Sequence, residues 1–434
     1  PDHGSLMSTL GERIAACPRF AQRLRRRILD LSAPEWVDDR DFNLAHHVRR
    51  IALPAPGTDD DLFRVVADVM SWRLDRDRPL WEIWVIDGLS DNRWAMLMKV
   101  HPCIADGVAT VHILTGLSDN GMSDGVGCRL RAAGDPAAEP ATESTPHGLR
   151  LALPAVNQVS WRGMLRATAG TMAAAGQTLR GSAEIAAGLL RPVSTLNGPI
   201  AARRRYSAAR VPLKDVRQVC RTFDVTINDV ALAALTESYR NMLLRRGERL
   251  RPDSLRTLVP MSMPSPDGQH QTVMLPYLPV EEDNPVLRLR IVHARLAKMK
   301  TSARRQAGGV AAAARVIPFP LMAWTMNLLA RLPQRNVVTL AVNVPGPRQP
   351  LQVMGCNVVR VLPIPPIAIQ LRTAVAILSY ADELFFGILA DFDAVPDVDE
   401  LARGVETAVA RLVARSKWRR PGRDRRGLSL VVNA

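Results

Sequence analysis

Two long stretches of this chain alternate strand-like apolar runs with helical periodicity, and a segment of different character separates them. The alternation occupies residues 45–117 and resumes near Ile200. Between them, over 119–148, Gly, Ala, Pro, Ser and Glu displace the periodic apolar residues. Residues 157–190 are rich in Ala and Gly, with few large side chains. Strands that alternate with helices pack as α/β layers. At 434 residues the chain exceeds one hydrophobic core, so the pattern divides into two α/β domains. The divisions read as an N-terminal domain over 1–130, a linker and connecting helix over 131–199, a C-terminal domain over 200–414 and a basic tail over 415–434.

Local signals place the elements. A basic amphipathic helix is predicted over 12–30, with Ile14, Phe20, Leu24 and Ile28 on its apolar side. A strand over 45–53 runs into the turn Pro54-Ala55-Pro56-Gly57, and Asp59-Asp60-Asp61 can cap the helix that follows. Strands over 79–88 and 93–100 flank a tight turn at Asp91-Asn92, and 108–117 is helical in pattern. Farther on, helices are predicted over 230–244, 281–303, 316–332 and 401–414, the first capped by Thr226 or Asn228. Strands are predicted over 255–261, 337–344, 358–362, 374–380 and 383–390, the last two forming a hairpin around Ala381-Asp382.

The formal charge is +15, and only five of the 57 cations are lysine. Such a chain attracts phosphorylated small molecules, anionic lipid or nucleic acid. Much of the excess sits in the tail, where Arg415, Lys417, Arg419, Arg420, Arg423, Arg425 and Arg426 face Asp424; the plain reading of such a run is a solvated end. No helix-turn-helix, zinc-finger or RNA-binding pattern is present, so nucleic acid is not the expected partner. Five scattered cysteines argue for a reducing, cytoplasmic setting and against a metal site. No apolar run reaches the roughly 18 residues of a membrane span, so any contact with a membrane or lipid-droplet surface is peripheral.

The chemistry concentrates at Val100-His101-Pro102-Cys103-Ile104-Ala105-Asp106-Gly107, directly after the apolar run Trp94-Ala95-Met96-Leu97-Met98. Transfer of an acyl group from a thioester to an alcohol needs a base for the hydroxyl proton, donors for the oxyanion, and a site that aligns the substrates and excludes water. A histidine at a strand end followed by Asp-Gly fits such a site.

On these residues and on Asp41-Phe42-Asn43-Leu44, His47-Val48-Arg49, Arg78-Pro79-Leu80-Trp81-Glu82, Asn228-Asp229-Val230 and Asn343-Val344-Pro345-Gly346-Pro347, the chain resembles the bacterial wax ester synthase/diacylglycerol acyltransferases. Ser379-Tyr380, Phe386-Gly387 and Asp391 follow in the order that the family has. The resemblance implies two chloramphenicol-acetyltransferase-like domains with mixed sheets and a tunnel between them. It also implies transfer of a fatty acyl group from acyl-CoA to diacylglycerol or a long-chain alcohol, with no cofactor beyond acyl-CoA as co-substrate. The family motif is His-His-x-x-x-Asp-Gly, and its second His is the general base. Here His101 matches the first His, Asp106 and Gly107 match the end, and Pro102 stands at the base. A proline has no titratable group.

Three readings follow: an acyltransferase working without that base, a protein that binds acyl-CoA or lipid without efficient turnover, or a Cys103 nucleophile paired with His101. If the segment is extended, His101 and Cys103 share a face and Pro102 points to the other. The resemblance assigns Asp106 to supporting the motif loop and Gly107 to its close turn. It places Pro102, Cys103, Asn228, Asp229, Asn343 and Gly346 along the substrate path. Each also has a plain reading. His101 can be an ordinary strand-end histidine, Asn228-Asp229 a helix start, and Asn343 with Pro345-Gly346 a chain turn. Trp81 and Trp84 read as core, and His46-His47, with no Asp-Gly after them, as structural.

Overall fold

The computed structural model describes residues 2–15, 17–25, 34–119, 194–252, 254–265, 268–314, 337–367 and 371–418. The linker and connecting helix up to residue 193, the helix expected over 316–332 and the tail beyond Trp418 lie outside the described residues.

The first helix, α1 (His3–Ala15), starts earlier than expected and stops short. Pro18 opens a 3-10 turn, Pro18–Ala21, and the chain then runs as β1 (Gln22–Arg25), paired antiparallel with β2 (Glu35–Asp38). The helix expected over 12–30 is therefore corrected. Proline lacks the N–H that a helix interior needs and its ring clashes with the preceding turn, so the pattern breaks at Pro18. Ile14 and Phe20 are nonetheless buried.

The N-terminal sheet has the order β3 (Val48–Ala52), β4 (Trp81–Leu89), β5 (Arg93–Val100). β3 and β4 are parallel, and β4 and β5 form a hairpin turned by Asp91 and Asn92 at φ 61° and 53°. The crossover is α2 (Asp59–Ser71), capped by Thr58 in a reciprocal capping box with Asp61 rather than by the acidic run itself. At its far end, Lys99 Nζ donates to the carbonyls of Val69 and Trp72 at 2.7 and 2.6 Å, satisfying groups that a helix terminus leaves open.

After the motif comes α3 (Gly107–Gly116). The C-terminal half is built on a six-stranded mixed sheet. Its order is β6 (Arg204–Pro212), β13 (Glu383–Asp391), β12 (Thr373–Tyr380), β9 (Val337–Val344), β7 (Arg256–Ser265), β8 (Gly268–Met274). β9 runs parallel to β12 and β7; the remaining pairs are antiparallel. Four helices, α4 (Leu213–Phe223), α5 (Ile227–Arg245), α6 (Pro285–Ala314) and α7 (Val398–Trp418), share the main core with Val375, Ile377, Phe386 and Ile388. β6, α4 and β8 were not anticipated from the sequence.

Side chains alternate across a strand, so the other face of this sheet is also apolar. Tyr206 and Leu389 there pack with Leu62, Val66 and Val69 of α2 and with Trp84 and Ile86 of β4. The described residues within 1–128 and 192–434 thereby form one compact unit with a shared core. No helix among the described residues is long and apolar enough to cross a membrane.

A short hairpin of β10 (Gln352–Val353) and β11 (Cys356–Asn357) precedes the segment expected to be a strand over 358–362. That expectation is corrected, because the segment joins no sheet. It crosses to the N-terminal half instead, where Leu362, Ile364 and Ile367 pack beside α2 and Arg360 grips Asp59 through two bonds of 2.8 and 2.7 Å. The Arg360 guanidinium holds the Asp59 carboxyl below the usual carboxylate range. Gly387 of β13 lets this segment lie flat: a Cβ there would sit 1.6 Å from the Pro363 carbonyl oxygen. Gly387→Ala is expected to lower stability by about 1–3 kcal/mol or more through overpacking. A thermal melt indistinguishable from wild type would contradict this.

Candidate active site at the His101 turn

β5 delivers His101 to the sheet edge, where its N–H donates to the Leu80 carbonyl at 3.0 Å. The chain then turns. The N–H of Ile104 donates to the His101 carbonyl at 2.9 Å, which puts Pro102 at the second position of a β-turn. Proline suits that place, since its fixed φ is the one required and no N–H is called for. The extended geometry expected for 101–103 is thus corrected. His101 and Cys103 do meet, but across a turn.

Two contacts converge on His101 Nδ1: the Cys103 N–H at 3.2 Å and the Cys103 Sγ at 2.9 Å. A ring nitrogen that accepts a backbone N–H is unprotonated, so the neutral tautomer carries its proton on Nε2. In that form Nε2 is a donor, suited to an oxyanion and not to taking a proton. Partial enclosure, then the nearby Arg76 charge, lowers the His101 pKa. Partial desolvation raises that of the Cys103 thiol, although the side chain is exposed. Both shifts favour a neutral thiol beside a neutral imidazole, the opposite of the thiolate–imidazolium pair of a cysteine nucleophile.

Asp106 caps α3, its Oδ1 accepting the Ala109 N–H at 2.8 Å. Gly107 packs tightly against the C-terminal half: a Cβ there would lie 2.8 Å from Val344 Cγ2. The motif helix therefore begins against the end of β9. One residue earlier on β9, Asn343 Nδ2 donates to Asn228 Oδ1 at 3.5 Å. Asn228 opens α5, capped by Thr226, and Asp229 completes the capping box. Asp229 is buried, and its Oδ2 also lies 2.8 Å from His293 Nδ1 on α6. Gly346 stands just past β9, where its N–H donates to Ser379 Oγ at 3.3 Å; a Cβ would come 2.1 Å from the Ser379 carbonyl oxygen.

The fold thus joins His101–Gly107, Asn343–Val344 and Asn228–Asp229 in one line of contacts from three distant parts of the chain, while Gly346 is fixed against β12. Sequence reasoning missed His293, and it named Val344 only as a member of the motif, not as the residue that meets Gly107. A valine inside an apolar strand and a lone helical histidine carry no local signal. Trp81 and Trp84 are buried, and His47 stacks on Trp81 with ring centroids 4.5 Å apart while its Nδ1 lies 2.8 Å from the Trp81 carbonyl oxygen. No cluster of metal-ligating side chains occurs among the described residues.

Comparison with known proteins bears on the family and the fold. Residues 2–231 match the family described as Wax ester synthase/diacylglycerol acyltransferase catalytic domain, and 268–412 match the WS/DGAT C-terminal domain. The chain is 55% identical over 439 residues to a Mycobacterium tuberculosis protein named "Probable diacyglycerol O-acyltransferase tgs1", covering 100% of this chain and 92% of that one. The solved wax ester synthase/diacylglycerol acyltransferase from Marinobacter aquaeolei VT8 superposes with a TM-score of 0.65 at 25% identity, covering 96% of this chain and 91% of that one. The first condensation domain of the CDA synthetase shares the fold at 14% identity and a TM-score of 0.52, covering 96% and 88%.

Proposed function

We propose that this chain, which belongs to the wax ester synthase/diacylglycerol acyltransferase family, transfers a fatty acyl group from acyl-CoA to the hydroxyl of diacylglycerol, with long-chain alcohols as a second acceptor class. The observation that carries the reading is the match, over 96–100% of this chain, to relatives whose names give diacylglycerol O-acyltransferase. The site geometry supports a direct transfer. The acceptor oxygen attacks the thioester carbonyl, the C–S bond breaks, and the hydroxyl proton ends on the departing CoA sulfur. His101 Nε2–H would donate to the developing oxyanion, a role that suits its tautomer. With Pro102 at the base position, that proton leaves without a side-chain base, so turnover is slow. Peripheral contact with a membrane or lipid droplet belongs to the same proposal, since the acceptors are lipids.

Purified full-length protein incubated with radiolabelled acyl-CoA and either diacylglycerol or hexadecanol tests the reading; labelled triacylglycerol above the protein-free control is expected. A different observation, Pro102 itself, favours a second reading in which the pocket binds acyl-CoA and does not turn over. Binding of acyl-CoA without product would select it. A Cys103 acyl-enzyme is not expected, because partial desolvation raises its thiol pKa although the side chain is exposed, which disfavours the thiolate nucleophile. Intact-mass measurement after acyl-CoA exposure should therefore show no thioester adduct, and an adduct abolished by Cys103→Ala would reverse that conclusion.

A further inference from the structure

An open cleft of about 570 Å³ lies beside the start of α5, lined by Lys214, Arg217, Cys220 and Arg221 of α4 and by Thr226 and Ile227. We infer that this cleft holds the phosphate groups of the acyl-CoA nucleotide, with Lys214, Arg217 and Arg221 as their ligands. The inference rests on the acyl-CoA reading above and names where the donor is gripped.

The three cations stand at i, i+3 and i+7 of α4, a spacing that puts them on one helical face. That face is turned from the core, because Leu213, Val216 and Val219 are the buried residues of the helix. No acidic side chain lines the cleft. Elsewhere the arginines that matter to the fold are paired: Arg13 with Asp119, Arg50 with Asp87, Arg246 with Asp397, Arg360 with Asp59. Among the described residues Lys214, Arg217 and Arg221 enter no such pair. Asp229, whose charge reaches Cys220, is buried and bonded by the Thr226 N–H and His293. Three like charges gathered in a concavity that no carboxylate lines form a field that favours an anion. Arginine forks match phosphate oxygens in paired bonds.

The position of the cleft selects the anion. Its wall, Thr226-Ile227, continues directly into Asn228, which touches Asn343; the next residue, Val344, meets Gly107 of the motif. A ligand with phosphates at one end and a thioester at the end of a long flexible arm spans such a line. Coenzyme A has that form, with a pyrophosphate and a 3′-phosphate at the nucleotide end. Phosphate on an anionic lipid headgroup shares the chemistry but carries no thioester, and the experiment separates the two.

The test uses the full-length protein and the triple variant Lys214→Gln/Arg217→Gln/Arg221→Gln, with circular dichroism to confirm folding. Calorimetry measures the Kd for CoA and for 3′-dephospho-CoA. Kinetics compare acyl-CoA with acyl-N-acetylcysteamine, a donor with the thioester and no phosphate. The variant should bind CoA about tenfold or more weakly, the loss of at least one charge-assisted hydrogen bond, and lose a similar factor of its kcat/KM preference for acyl-CoA over the truncated donor. Wild type should prefer CoA to 3′-dephospho-CoA, and the variant less so. An unchanged CoA Kd overturns the inference. So does a defect confined to flotation with phosphatidylglycerol vesicles, which would give the cleft to lipid headgroups. The failures are distinguishable: a wild type that turns over acyl-CoA, with CoA affinity unaltered in the variant, sinks the cleft alone. A wild type that neither turns over nor binds CoA sinks the acyltransferase reading as well.

Discussion

Replacing Pro102 with histidine is expected to raise acyl transfer to diacylglycerol by about 10²–10⁴-fold, the range a positioned general base supplies. The local structure accommodates the change. Residue 102 is exposed, and the turn is closed by the Ile104 N–H and the His101 carbonyl, neither of which belongs to it. The second position of such a turn accepts most residues. Loss of the proline's restriction of the unfolded chain costs about 0.4–1 kcal/mol, too little to unfold the protein. The imidazole so introduced has an ordinary pKa of about 6.5, so the gain should be small at acid pH and should grow as pH rises through that value. His101 cannot supply the same limb, because its Nδ1 is engaged by the Cys103 N–H and its Nε2 carries the proton. The control is Pro102→Ala, which removes the ring without adding a base and should give no gain. A folded Pro102→His protein no faster than wild type, or an equal gain from Pro102→Ala, would contradict the argument. If wild type makes no product and Pro102→His does, the pocket is intact and catalysis alone has lapsed.

How much of this was legible beforehand depended on how local each signal was. The strand Val337–Val344 was predicted with the bounds it has, and the hairpin at Asp91-Asn92 was read from its turn residues. Period-2 apolar patterns and turn chemistry are properties of a few adjacent residues. Where a partner decides, the sequence misled. The valine-rich 358–362 has strand character but no neighbouring strand, and it became a crossing segment instead. β6 carries Arg204, Arg205 and Arg210 among small residues and does not look like a strand; its register against β13 makes it one. The helical periodicity of 12–30 is interrupted by a local signal, the proline at position 18, which opens a 3-10 turn. α4 is the instructive omission. Its polar majority hid it beside the strongly apolar α5, yet the same Lys214, Arg217 and Arg221 spacing that marks it as a helix also marks its charged face. At the site, the motif and the Asn-Asp and Asn-Val-Pro-Gly segments were each recognisable. That Gly107 lets the first abut the last could not be read, because the contact joins residues 237 positions apart and depends on a missing Cβ.

Glu237→Leu is expected to destabilise the protein by about 3–5 kcal/mol. Glu237 lies in α5 with its side chain 4% exposed, and its Oε2 is 2.6 Å from Nη1 of Arg288, which is 2% exposed. Its Oε1 also meets Arg411, but that side chain is 61% exposed, and a solvated pair of this kind contributes little. Leucine would therefore leave the Arg288 guanidinium buried without a counter-charge. Its bonds to the carbonyls of Glu282 and Asp283, from 2.8 to 3.2 Å, supply dipoles only. Burial already lowers the Arg288 pKa and the Glu237 charge opposes that shift, so removing the carboxylate takes away the main support of the cation. Replacing both partners with apolar residues of similar volume, Glu237→Leu/Arg288→Met, should recover much of the loss, since no charge then remains buried. Urea unfolding measures both. A single-variant loss below about 1 kcal/mol, or a double variant no better than the single, would show that the pair is not the source of the effect. The consequence reaches the site, because Arg288 and Glu237 clamp α6 to α5, and α5 presents Asn228 to Asn343. A partly compensated variant should thus lose affinity for acyl-CoA before it loses its fold.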